Sequence, residues 1–254
     1  LCGRYASTKD PARLAAEFAA VDATEGMAPG PDHNVAPTKR VVAVVERPQR
    51  GEDGEPEPSG TERTLRVLRW GLVPSWAKER SIGSRMINAR AETVATKPAF
   101  RRSVARHRCL VPADGWFEWK RADGRKQPFY LTRTDGASLA FAGIFATWRD
   151  PAAGEDTPPL VTCAVVTTAA VGPLTEVHDR MPLLLDADQW ARWLDPANAD
   201  VADLLATPPA DGLVEALELR PVSSAVNSVR NNGPELVVRH DPTPADLFDP
   251  GPTG

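Results

Sequence analysis

The sequence predicts one α+β domain built mostly of antiparallel strands with flanking helices. Three observations carry that prediction. Short apolar segments of strand character recur along the chain, they do not alternate with helices as βαβ units would, and no internal repeat or linker separates two cores. A length of 254 residues with 42% hydrophobic content suffices for a sizeable single core. The domain is expected over residues 1–240 and a disordered tail over 241–254.

The elements follow in chain order. Asp10-Pro11 ahead of Leu14, Ala15, Phe18 and Ala19 reads as a capped amphipathic helix with proline in its first turn. Val41 to Val45 is a short apolar strand. Gly51 to Gly60 is acidic, rich in Pro and Gly and without periodicity, which predicts an exposed loop between strands. Arg63 to Trp70 nearly alternates, with Leu65 and Val67 then Leu68 and Trp70, as a strand carrying one slip would. Lys97-Pro98 opens a second helix through Phe100 and Val104, with arginines on its other side. Four further strands are expected at Cys109 to Val111, Phe129 to Leu131, Leu139 to Phe145 and Leu160 to Thr167. Asp186 caps a helix whose Trp190, Trp193 and Leu194 share a face. The stretch from Asp241 holds four prolines and no pattern, the basis for the tail.

No apolar run approaches the roughly 18 residues of a membrane span, and no charged-then-apolar signal opens the chain. Cys2, Cys109 and Cys163 cannot form a paired disulfide framework, and none sits in a CxxC pair. These features predict a soluble protein of a reducing compartment, the cytoplasm; a monomer is expected. The net charge of −4 argues against a nucleic-acid partner until its distribution is read. Thr61 to Arg133 carries 17 Lys/Arg against 6 Asp/Glu, and the remainder carries 13 against 28. Clustered positive charge inside an acidic protein is a polyanion footprint that overall pI hides.

Cys2 is the first residue with unusual chemistry. Once residue 1 is removed, it offers an α-amine with a reference pKa near about 8 beside a thiol near about 8.5. That 1,2-aminothiol condenses with an aldehyde to an imine, and the thiol then closes a five-membered thiazolidine. Further stretches stand out: Trp70-Gly71-Leu72-Val73-Pro74-Ser75-Trp76, a turn between two indoles; Asn88-Ala89-Arg90-Ala91-Glu92-Thr93; Gly115-Trp116-Phe117-Glu118-Trp119; His178-Asp179-Arg180-Met181-Pro182; and Pro221-Val222-Ser223 followed by Asn227.

With Cys2-Gly3-Arg4-Tyr5 at the start, these motifs in this order resemble the SRAP family (SOS response-associated peptidase), from Cys2 to about Leu236. The resemblance implies a protein that processes abasic sites in single-stranded DNA during the response to DNA damage. It implies a compact α+β fold with a positively charged groove for the strand. It further implies that Cys2 bonds C1′ of the ring-opened sugar, that Glu118 shuttles protons during imine formation and ring closure, and that His178 assists sugar opening and strand release. Asn88 would orient the amine or the sugar. Arg4 and Arg90 would lie near phosphates, and Trp76 with Trp70 would stack on bases or wedge a duplex end. No cofactor and no metal are implied, because the aldehyde is itself the electrophile. The residues are compatible with these roles: Glu118 between Phe117 and Trp119 is placed for a desolvated, raised carboxyl pKa.

The family pattern begins Met-Cys, whereas this chain begins Leu-Cys. An alternative start codon written literally as Leu accounts for this, as does a cloning remnant. Either way Cys2 must become N-terminal, by self-cleavage or with an aminopeptidase. Two other function classes compete. Cys2, His178 and Asn88 also suit a thiol or N-terminal-nucleophile peptidase acting on proteins in trans. The basic segment and tryptophans alone suit a non-catalytic single-strand binding module.

Overall fold

A computed structural model describes residues 2–50, 56–122, 125–154 and 156–241. In chain order the strands are β1 (Tyr5–Ser7), β2 (Val21–Asp22), β3 (Asp32–Val35), β4 (Arg40–Arg50), β5 (Pro56–Trp70), β6 (Asn88–Arg90), β7 (Arg108–Ala113), β8 (Gly115–Ala122), β9 (Arg125–Arg133), β10 (Leu139–Trp148), β11 (Leu160–Ala169), β12 (Arg180–Pro182) and β13 (Leu217–Pro221). The α-helices are α1 (Pro11–Phe18), α2 (Arg101–Arg106), α3 (Ala187–Leu194), α4 (Ala202–Ala206) and α5 (Asp211–Glu215).

Two mostly antiparallel sheets result. The smaller runs β13-β9-β8-β1-β3, and the larger runs β12-β11-β10-β7-β4-β5-β2 with β6 added on β11. A short parallel contact of β11 with β5 (Thr162 opposite Arg69, Cys163 opposite Trp70) joins the larger sheet back on itself. Successive residues of its strands go to different cores. Val41, Ala43 and Val45 pack with Cys2, Tyr5, Trp70 and Trp116. Val42 and Val44 pack with Leu14 and Phe18 of α1 and Trp193 of α3. A third cluster, around Phe117 and Tyr130, includes Val222, Val226 and Leu236. The larger sheet is thus apolar on both sides, and the tertiary fold is the α+β architecture the sequence predicts.

Double burial explains one departure from the sequence reading. The β4–β5 ladder keeps one register from Arg40–Arg69 to Pro48–Thr61, so β5 carries no slip between Arg63 and Trp70. Leu65 serves one core while Leu68 and Trp70 serve the other, which reads as broken alternation although the backbone is regular. The expected Gly51–Gly60 loop is corrected at its second half: β5 begins at Pro56, paired with Arg50, while 51–55 lie outside the described residues. Pairing with β4 overrides a composition that favours loops.

The helix starts are legible where a cap is present. Asp10 accepts from the Arg13 N–H with Pro11 at the first helical position. Asp186 and Gln189 form a capping box at α3. The second helix is corrected: Lys97–Phe100 form a turn, Phe100 sits at φ −120°, and α2 begins at Arg101. The break falls at Phe100, whose φ leaves the helical region although the Arg101 N–H still reaches the Lys97 carbonyl at 2.9 Å. The expected tail from Pro242 onward lies outside the described residues. All three cysteines are free and buried thiols.

Candidate functional site

β1 is the strand that places Cys2. It lies between β3 and β8, with Tyr5 opposite Trp116 and the Phe117 N–H donating to the Arg4 carbonyl at 3.0 Å. Continuing that antiparallel register toward the chain start sets Gly3 opposite Glu118 of β8 and Cys2 one residue beyond, close enough for the Glu118 charge to act on the Cys2 thiol. Cys2 is fully enclosed, in the core that holds Tyr5, Trp70 and Trp116. Asn88 arrives from the other sheet on β6, which pairs with β11. Its Nδ2 donates to the Cys2 carbonyl at 2.9 Å, and its Oδ1 is buried without a partner.

His178 stands between a 3-10 turn at Gly172–Glu176 and β12. Its Nε2 is 3.9 Å from Glu118 Oε2. The Arg180 N–H donates to Nδ1 at 3.0 Å, which assigns the imidazole proton to Nε2, facing Glu118. The Asp179 carboxylate also lies 3.0 Å from Nδ1, where it would favour a charged ring. It is solvent-exposed, and burial of the imidazole outweighs it, so the His178 pKa is lowered and the ring is neutral.

Burial dominates the electrostatics. It pushes the Glu118 carboxyl up to about 7, so both protonation states are populated near neutrality. It also pushes the Cys2 thiol well above its usual value, with the Glu118 charge adding to the rise. A resting thiolate is therefore disfavoured, unlike the pre-ionised thiol a protein-cleaving cysteine needs. Beside this group the Trp116 indole N–H is buried without an acceptor. The chemistry available is proton transfer at a water-poor carboxyl, next to a sulfur that reacts after its proton is taken.

The structure thus gathers Cys2, Asn88, Glu118 and His178 from four segments of the chain. The residues expected on DNA are placed differently from one another. Arg4 is engaged: its guanidinium donates to Asn34 Oδ1 at 2.9 Å and to the carbonyls of Val226 at 2.8 Å and Asn227 at 3.3 Å. Arg90 is exposed at the end of β6. Trp76 is 58% exposed. Trp70 corrects the expectation, for it is buried against Tyr5 (ring centroids 5.3 Å apart) and its N–H donates to the Ile87 carbonyl at 2.9 Å. It has no free face for a base.

Two features escaped the sequence reading. Asn34 is wholly buried and, besides holding Arg4, donates to the carbonyls of Val226, Ser228 and Asn231. Trp119 stacks beside Lys126, whose Nζ lies 4.8 Å from its ring centroid, and donates to Asn227 Oδ1 at 2.7 Å. The Asn227 carbonyl in turn accepts from Arg4. The motif quoted for Glu118 contained Trp119, but nothing local marks Asn34, whose partners lie about two hundred residues along the chain.

Comparison with known proteins gives the family. The profile of the SOS response associated peptidase (SRAP) family matches residues 1–229. The abasic site processing protein YoqW of Bacillus subtilis (strain 168) is 38% identical over 214 residues, covering 83% of this chain and 87% of that protein. The abasic site processing protein YedK of Escherichia coli (strain K12) is 32% identical, covering 93% of this chain and 99% of that protein. The abasic site processing protein HMCES of Gallus gallus is 31% identical, covering 94% and 77% respectively. A crystal structure of a protein from Bacteroides thetaiotaomicron superposes with a TM-score of 0.77 at 24% identity, covering 94% of this chain and all of the other. The chain belongs to the SOS response associated peptidase (SRAP) family.

Proposed function

We propose that this protein senses abasic sites in single-stranded DNA and captures them covalently through Cys2. The observation that carries the proposal is the convergence on Cys2 of Asn88 and the Glu118–His178 pair. Hydrolysis of the bond between Leu1 and Cys2, consuming one water, frees the Cys2 amine. The ring-opened sugar presents an aldehyde at C1′. The amine adds to it, the resulting carbinolamine loses water with a proton from Glu118, and a protonated imine forms. Glu118, now a carboxylate, takes the thiol proton as sulfur adds to the imine carbon. A thiazolidine closes, with one water released and no change of oxidation state.

The Glu118 environment suits a group that must first give and then take a proton. His178, neutral and with Nε2 toward Glu118, serves sugar opening and strand release as a proton relay. Asn88 holds the Cys2 carbonyl with one end of its amide and offers the other to the freed amine or the sugar. Exposed Trp76 and Arg90, with the outer edge of Arg4, supply base stacking and phosphate contacts in a positively charged groove. The high thiol pKa supports this order of events over protein cleavage in trans.

Denaturing electrophoresis with an oligonucleotide carrying one abasic site tests the proposal. A shifted band that requires the lesion and is lost in Cys2→Ala supports it. A shifted band of equal stability with Cys2→Ala removes Cys2 from the chemistry. Cleavage of a generic peptide without any DNA crosslink would favour the peptidase alternative.

A further inference from the structure

Three arginines gather near the end of β5: Arg69, its cross-strand partner Arg40, and Arg80, whose charge acts on Arg69. Arg40 and Arg69 are direct cross-strand partners, one step along the ladder side that pairs Val42 with Val67 and Val44 with Leu65. Like charges placed opposite each other in a ladder destabilise it. Arg80 is brought to the same place by a backbone contact that only glycine allows. Gly71, at φ +120°, lies against Gly83, where an added Cβ would stand 2.6 Å from the Gly83 carbonyl oxygen. That contact seats the 3-10 turn Arg80–Arg85 on the strand end. Burial lowers the Arg69 pKa, and the charge of Arg80 lowers it further.

Among the described residues, none of these three arginines forms an ion pair. Glu79, next to Arg80, accepts instead from the Ser81 hydroxyl at 3.1 Å. Nη1 of Arg69 is enclosed and has no acceptor. A buried N–H without a partner is rare in folded proteins and asks for a missing acceptor. An anion between the guanidiniums would relieve both the repulsion and the orphaned donor, and forked N–H groups match phosphate oxygens. The same segment carries exposed Trp76 four residues before Arg80, a flat face for a base. That neighbour favours a phosphate attached to a base over an isolated ion.

We propose that Arg69, with Arg40 and Arg80, forms a phosphate site that receives a backbone phosphodiester of a nucleic-acid strand. As a strand contact it rests on the DNA reading above, while its phosphate chemistry does not. The site is separate from Cys2, Glu118 and His178 and takes no part in bond making.

The test uses the full chain and two probes, inorganic phosphate and an unmodified single strand. Phosphate at matched ionic strength is expected to raise the melting temperature of the wild type by several degrees more than chloride does. Arg69→Gln should abolish that difference, and without phosphate it should melt no lower than the wild type, since a repulsion is gone. In a salt titration of strand binding, Arg69→Gln should flatten the slope of log affinity against log salt by about 0.7, one phosphate contact. Arg80→Gln, at an exposed position, should move both readouts the same way if Arg69→Gln fails to fold. A phosphate effect that persists in both variants overturns the proposal. Loss of the phosphate effect with an unchanged slope overturns the strand as its source and leaves free phosphate as the ligand. Failure of the wild type to crosslink an abasic oligonucleotide would sink the capture reading while leaving both readouts interpretable.

Discussion

The side-chain amide of Asn88 is fixed at one end only: Nδ2 donates to the Cys2 carbonyl at 2.9 Å, and Oδ1 is buried with no donor. β6 rides on β11 in the larger sheet while Cys2 leads into β1 of the smaller one, so this bond ties the two sheets together at the reacting residue. Buried acceptors seldom stay empty, and the freed amine of Cys2 or a sugar hydroxyl would fill this one.

Asn88→Ala should therefore slow capture of an abasic strand by about 100-fold, the scale of a small misplacement of reacting groups. Affinity for an undamaged strand should stay within twofold, because the side chain is recessed. Single-turnover capture beside equilibrium binding separates the two. Equal losses in both would make Asn88 a DNA contact and not a positioning group.

Glu118 makes a prediction with a definite sign. Its folded pKa of about 7 lies above the ordinary carboxyl value, so the native state holds a proton that the unfolded chain has released. Its contribution is neutral below the unfolded value and becomes increasingly destabilising as pH rises from about 4.5 to about 7. Glu118→Gln removes that cost. It should be more stable than the wild type at pH 8, by on the order of 3 kcal/mol, and the gap should close toward pH 4. Capture should fall by about 100- to 10,000-fold in the same variant. Denaturant melts at the two pH values check the first claim, and a gap independent of pH would contradict the buried carboxyl.

Much of this site could be read from the residues, for reasons that particular positions make plain. The helix starts at Asp10 and Asp186 are written locally, as a side-chain oxygen accepting a nearby N–H. Cys2, Asn88, Glu118 and His178 were recognisable by their motifs, but their meeting depends on strand pairings that no local signal records. Trp70 and Trp76 look alike in sequence, flanking one turn, yet β5 carries the first into the core and leaves the second outside. Asn34 was invisible because its meaning lies in carbonyls of the segment 226–231. Pro56 to Gly60 misled by composition, since a long antiparallel partner holds a proline- and glycine-bearing strand that would not form alone.

The two tryptophans should behave oppositely when truncated. Trp70→Ala empties a fully packed site beside Tyr5 and takes from the Ile87 carbonyl one of its two donors, leaving the Val165 N–H. A loss of about 3–5 kcal/mol is expected. Trp76→Ala should leave stability within about 0.5 kcal/mol and weaken single-strand binding by roughly 1–3 kcal/mol. The salt dependence of that binding should hardly change, since stacking releases few counterions. Thermal melts and anisotropy titrations on both variants decide it. Unaltered strand affinity in Trp76→Ala would leave this indole without a base to stack on.

Arg4 and Arg90 were expected to contact phosphates alike, and the structure separates them. Arg4 spends its guanidinium on Asn34, Val226 and Asn227, and its Cζ lies 6.0 Å from the Trp119 ring centroid. Arg90 is exposed and, among the described residues, forms no ion pair. Arg4→Ala should therefore cost about 2 kcal/mol of folding stability, because a charged donor leaves several acceptors short. Arg90→Ala should cost none that a melt resolves. Both should weaken binding to any strand sequence, and Arg90→Ala should flatten the salt slope by about 0.7. Arg4→Ala should flatten it less, since its charge is already shared among protein carbonyls. A full-size slope change at Arg4 with unaltered stability would mean that its protein bonds give way to phosphate, and the network through Asn34 would then be a latch that DNA opens.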